Sequence, residues 1–199
     1  MSVNKQLTGE LTYQNLRTIM AANNYNFFDK GNYNLNLIFA RNTQFTDGYT
    51  DMLYIAYKEN MMEKVIMIPC STKAGSYYFK LNPFKLNKRG VSVIKEGQYS
   101  QTWQYKTSLF LGKPYLHLVK DIPVYRDGNK DNFIDTAVVE VGNYGNFIHT
   151  AGDIKGNIYN WSAGCMVIPK EYYSQFLQII EKAVSLYGDL FTVTILKNY

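Results

Sequence analysis

Two histidines and two cysteines occur in this 199-residue chain. One of each falls within a single stretch, Asn146 to Pro169. A cysteine becomes a nucleophile when a base takes its proton and N–H donors hold the oxyanion formed on its target. His149 follows Phe147-Ile148, and Cys165 precedes Met166-Val167-Ile168. The pattern predicts two short strands, each delivering a reactive side chain at its edge, joined by a loop containing Gly and Asn. Ser162-Ala163-Gly164 is a small-residue turn, suited to presenting the backbone N–H groups of Gly164 and Cys165 to a bound carbonyl. Together these residues point to a Cys–His acyl-transfer centre. A free thiol ionises near about 8.5, and a neighbouring imidazolium can bring it into roughly the 3.5–7.5 range. Two other readings compete: a Cys after Gly as a small buried hydrophobe, and a His beside Phe and Ile as a core residue. Zinc is disfavoured, because two ligands fall short of the three or four it requires.

His149, the Gly-containing loop and Ser162-Ala163-Gly164-Cys165 resemble the catalytic signature of the L,D-transpeptidase (YkuD-type) family. The match is closer to a branch with S-A-G-C, seen in phage-associated and related bacterial proteins. Supporting segments are Cys70-Ser71-Thr72-Lys73-Ala74-Gly75, Glu96-Gly97-Gln98-Tyr99 and Tyr125-Arg126-Asp127-Gly128-Asn129-Lys130-Asp131. The resemblance runs from about Leu35 to the C-terminus. It implies a β-rich α+β domain, a mixed β-sandwich with the site at one end and a helix after the cysteine, to which the sequence itself adds an N-terminal helix. No cofactor or metal is expected, and the resemblance implies a substrate in the stem peptide of peptidoglycan, acted on between an L- and a D-centre. It also implies that the Thr150 main-chain carbonyl orients His149, that Ser162 shapes the turn or bonds the histidine, and that Tyr99 and Trp103 lie near the substrate cleft. Papain-like and NlpC/P60-type peptidases place cysteine before histidine, the reverse of the order here. Two departures stand out. S-H-G-C has become S-A-G-C, and Met166-Val167 stands where an arginine commonly follows the cysteine. Without that guanidinium, carboxylate recognition weakens, and hydrolysis is favoured over transpeptidation. An inert structural or accessory protein, or a wall-peptide binding module retaining the fold, is the reading from a different class.

The rest of the chain must position these two side chains. Thr12 caps a first helix, with Asn15 in the box position, ending near Asn23-Asn24. Strand-like runs follow at 34–41, 51–57, 64–69, 76–81 and 91–94. The 97–103 segment reads as a loop or strand end, with Trp103 either a cleft residue or a core anchor. His117 alternates within a strand pattern and reads as structural. Residues 170–187 recur apolar at three- and four-residue steps, with Pro169 at the start and Gly188 at the stop. A last strand spans 191–196.

A single domain over 1–199, with residues 1–34 as a helical extension packed on it, accounts for the length. A net charge of +5 comes from scattered cations. No basic stripe or motif predicts nucleic-acid binding. Met1 to Leu7 carries no apolar signal-peptide core, and no run approaches membrane-spanning length. The expectation is a product made in the cytoplasm that acts on the cell wall if delivered there. Residues 127–135 carry oxygen ligands at steps 1, 3, 5 and 9 of a calcium-type loop, but lack the glycine at step 6 and the glutamate at step 12. Ordinary Asx turns explain the same residues.

Overall fold

The computed structural model describes residues 11–42, 47–81, 90–127 and 134–197. The chain is a β-rich α+β protein. It runs α1 (Tyr13–Ala22), β1 (Asn36–Arg41), β2 (Asp51–Glu59), β3 (Met62–Cys70), α2 (Ser76–Leu81), β4 (Val91–Ile94), β5 (Gly97–Phe110) and β6 (Lys113–Leu118). It continues with β7 (Ile122–Asp127), β8 (Val139–Gly142), β9 (Ile148–Thr150), β10 (Met166–Ile168), α3 (Lys170–Tyr187) and β11 (Leu190–Lys197).

Eight strands form one mixed sheet in the order β10-β9-β6-β5-β11-β1-β2-β3. The β1–β11 and β9–β10 pairs are parallel and the others antiparallel. The two end strands meet: Ser71, just past β3, exchanges both main-chain hydrogen bonds with Val167 of β10, at 3.0 and 2.9 Å. The sheet therefore curls almost into a barrel, and the stretch that holds Cys165 lies at its seam. A second sheet, β4-β7-β8, packs Ile94, Ile122 and Val124 into the main core.

Strand parity sets the layers. Ile148, Met166 and Ile168 face the main core with Leu116 and Leu118. The alternate residues of β9 and β10 face outward, where Ala151, Ile158 and Val167 form a small apolar cluster around Cys165 and Tyr49. Helix α3 seats Tyr173, Phe176, Ile179, Ile180 and Ala183 in the core. It starts after Pro169 and stops at Gly188 with φ 85°. Helix α1 is capped as its sequence predicts: Asn15 N–H donates to Thr12 Oγ1 and Thr12 N–H to Asn15 Oδ1, each 3.2 Å. Its Leu16 and Met20 pack on Ile38, Ala40, Tyr54 and Ala56.

Two local expectations are corrected. Ser76–Leu81 is a helix and not a strand. The Asp47 carboxylate accepts the Ser76 N–H at 2.9 Å and its hydroxyl at 2.5 Å, placing negative charge at the helix N-terminus. Residues 97–103 are neither loop nor strand end but the first half of the 14-residue β5. The calcium-type loop lies largely outside the described residues. Among the described residues, no helix is long and apolar enough to cross a membrane.

Candidate active site

Val167 pairs with His149 across β9 and β10, and Cys165 lies two residues before Val167. Period-2 alternation therefore sends the thiol and the imidazole to the same face. Strands about 4.8 Å apart that rise about 3.3 Å per residue put the two Cα atoms about 8 Å apart, a gap these side chains can bridge.

His149 is 1% exposed. Its Nδ1 lies 2.6 Å from the Thr150 main-chain oxygen. A carbonyl only accepts, so Nδ1 carries the proton and Nε2 is left as the basic nitrogen. The Phe110 ring meets the imidazole edge-on, with centroids 4.9 Å apart. Burial pushes the His149 pKa down to about 4, opposed by the Thr150 hydrogen bond. At neutral pH the imidazole is uncharged.

Cys165 is partly exposed, and its Sγ donates to the Gly145 carbonyl at 3.5 Å. Burial pushes the thiol up to about 11, partly offset by the Phe147 main-chain N–H, which favours the thiolate. This corrects the expected acidified thiol: with the imidazole neutral, nothing positive is at hand to stabilise a thiolate. Among the described residues no thiol–imidazole hydrogen bond is formed. Such bonds commonly tighten only in the substrate complex. The resting pair is thiol and imidazole, suited to proton transfer during attack.

The turn before the cysteine is held on every side. Ser162 Oγ accepts the Gly164 N–H at 3.1 Å and donates to the Cys165 carbonyl at 2.8 Å, so Ser162 shapes the turn and does not bond the histidine. Gly164 has φ 134°, and a Cβ there would lie 2.3 Å from the Ser92 carbonyl oxygen. Only glycine fits. Of the two expected oxyanion donors, Gly164 N–H is thus already engaged. Cys165 N–H makes no hydrogen bond among the described residues.

The Cys70–Gly75 segment forms the opposite wall. Gly75 N–H donates to the Ser162 carbonyl at 2.9 Å. A Cβ on Gly75 would fall 2.0 Å from the Tyr159 carbonyl oxygen. Buried charges anchor this wall. Asp51 accepts from Thr72 N–H and Oγ1, both at 2.7 Å, and its other oxygen lies 3.4 Å from Lys73 Nζ. Arg41, 1% exposed, donates to Thr72 Oγ1 at 2.8 Å, to the Ile94 carbonyl at 2.8 Å and to Glu96 at 3.1 Å. Cys70 is a second free thiol, fully buried in the main core, and burial raises its pKa well above the ordinary value.

The secondary candidates fall elsewhere. Trp103 is 0% exposed, and its Nε1 donates to the Asn146 carbonyl at 2.8 Å. It is a core anchor, and its expected cleft position is corrected. Tyr99 is half-buried, donates to the Lys95 carbonyl at 2.6 Å, and has Arg41 and Glu96 rather than the thiol as electrostatic neighbours. The aromatic residues that do adjoin the site were not singled out from sequence. Tyr78 of α2 interacts electrostatically with Cys165. Tyr77 packs between Tyr78 and the half-exposed Tyr159, at centroid distances of 5.4 and 5.2 Å. Asn146 and Ser92 were likewise passed over. The signal for Ser92 is a polar residue sharing a strand face with the apolar Ile94.

Among the described residues, no group of three or more His, Cys, Asp or Glu could hold a metal. Comparison with known proteins returned no match: no protein family, no curated protein and no solved structure is similar to this chain.

Proposed function

We propose that this chain is a cysteine-dependent acyl-transfer enzyme acting on peptidoglycan stem peptides, an L,D-transpeptidase or an L,D-carboxy- or endopeptidase built on a β-sandwich of that type. The signature of His149 and Ser162-Ala163-Gly164-Cys165 suggests the family and the substrate. The observation that carries the chemistry is the same-face placement of Cys165 and His149, with Nδ1–H committed to Thr150 so that Nε2 is the free base. As the Cys165 sulfur bonds to the carbonyl carbon, the thiol proton moves to His149 Nε2. The same proton then goes to the departing amine as the C–N bond breaks, leaving a thioester. Water or a second amine attacks the thioester and returns the thiol.

One observation favours the alternative, a wall-peptide binding module or accessory protein with an inert site: the resting thiol sits near 11 and forms no hydrogen bond to the imidazole. Mass spectrometry of purified muropeptides incubated with wild type and Cys165→Ala separates the two. Shortened or exchanged stem peptides that vanish in the variant support the enzyme. Unchanged muropeptides in both samples leave the binding reading.

A further inference from the structure

We infer that Asn146 is a positioning residue that aims the Cys165 N–H into the oxyanion site, a role that rests on the acyl-transfer reading. Asn146 is 1% exposed and lies three residues before His149. Its Nδ2 donates to the Gly164 carbonyl at 2.6 Å and to Ser92 Oγ at 3.1 Å. Its own carbonyl accepts the Trp103 indole N–H at 2.8 Å, so the backbone that carries the amide is itself tied to the core.

Clamping the Gly164 carbonyl fixes more than that oxygen. The peptide between Gly164 and Cys165 is planar and trans, so the Cys165 N–H must point opposite to the clamped carbonyl. Of the polar backbone groups in the turn, Gly164 N–H and the Cys165 carbonyl are both taken by Ser162 Oγ. The Gly164 carbonyl is taken by Asn146. The Cys165 N–H is left without a partner among the described residues, next to the sulfur that would attack. That is the position an oxyanion donor must occupy.

Packing alone does not account for an asparagine here. Its Oδ1 is buried without a hydrogen-bond partner among the described residues. Turning the amide over would satisfy that oxygen at Ser92 but would set it against the Gly164 carbonyl, two acceptors facing each other. The orientation is therefore dictated by Gly164.

Two reagents separate aiming of the N–H from general support of the thiol. p-Nitrophenyl acetate acetylates Cys165: the sulfur–carbon bond forms through a tetrahedral oxyanion, the thiol proton goes to His149, and p-nitrophenolate leaves. Iodoacetamide alkylates the same sulfur by displacing iodide, with no oxyanion. Both rates are measured at pH 7 on the full chain, with the product mapped to Cys165 by mass spectrometry. The expected result is that Asn146→Ala and Asn146→Asp, each folded by thermal melting, acetylate about tenfold or more slowly. Their alkylation should stay within about twofold of wild type. Acetylation at the wild-type rate, or an equal fall in both rates, overturns the assignment. If neither variant folds, Ser92→Ala decides, since it removes only the second partner of Nδ2. A selective loss of acetylation of about threefold supports the role, and any other result overturns it. Wild type inert toward both reagents sinks the acyl-transfer reading itself, and this assignment with it.

Discussion

Protonating His149 should destabilise this protein over a pH range set by its burial. The imidazole is 1% exposed, with one carbonyl acceptor and the Phe110 ring against it. Burial lowers its pKa from 6.5 to about 4. The unfolded chain binds a proton as pH falls through 6.5, and the folded chain does not until about 4. Stability is therefore fully present above about pH 6.5 and is lost progressively down to about pH 4. The displacement corresponds to about 3 kcal/mol at 1.36 kcal/mol per pH unit. That is a large share of the 5–15 kcal/mol of a typical domain. Carboxylates also titrate in this range, so the measurement is the difference between wild type and His149→Gln, by urea unfolding at half-unit steps from pH 7.5 to 4. The wild type should lose about 3 kcal/mol relative to the variant over that interval, and the ring proton signals of His149 should titrate below about pH 5. A difference that stays flat, or a His149 titration near its ordinary value, refutes the reasoning.

The thiolate limb of the pH profile of Cys165 alkylation should inflect near 11, and an inflection between about pH 7 and 9 in its place would contradict the burial that raises the thiol. His149→Ala should slow alkylation at pH 7 by about tenfold or more while leaving the alkaline limb in place, as loss of a general base requires. Gly164→Ala drives a Cβ to 2.3 Å from the Ser92 carbonyl oxygen at φ 134°. It should cost about 2–4 kcal/mol by urea unfolding, and a variant as stable as wild type would show that the turn is looser than described. Asp51→Ala takes the carboxylate from Lys73 and from two Thr72 donors. About 3–5 kcal/mol should be lost. Restoration by a second change, Lys73→Met, would be seen in the same assay, and a mild single-variant effect would rule out a tightly held network.

Helix α3 was legible to its boundaries because a run of apolar residues at helical spacing sits between Pro169 and Gly188, and both signals act locally. Helix α2 was not. Ser76-Tyr77-Tyr78 reads as strand by propensity, and the group that turns it into a helix, the Asp47 carboxylate, lies 29 residues upstream. That His149 and Cys165 belong to neighbouring strand segments could be anticipated from residue types and order. Their charge state could not, because it depends on Phe110, Ile158 and a wall made by residues 70–75. Trp103 stood evenly between cleft and core in the sequence, and a hydrogen bond to Asn146, 43 positions away, decides it. Asp51, Lys73 and Arg41 look like surface charges when read alone. Only the joined sheet ends reveal that they are buried together.

That junction has a consequence for when the site around Cys165 takes its final form. Ser71 and Val167 stand roughly a hundred positions apart, and contacts of such long range must first overcome the entropy of closing the intervening chain. Until they join, no second wall covers the 162–165 turn, and both titrating groups remain open to water. A half-folded chain therefore carries a thiol and an imidazole that titrate in their ordinary ranges, and the neutral, buried pair forms only when the fold is complete.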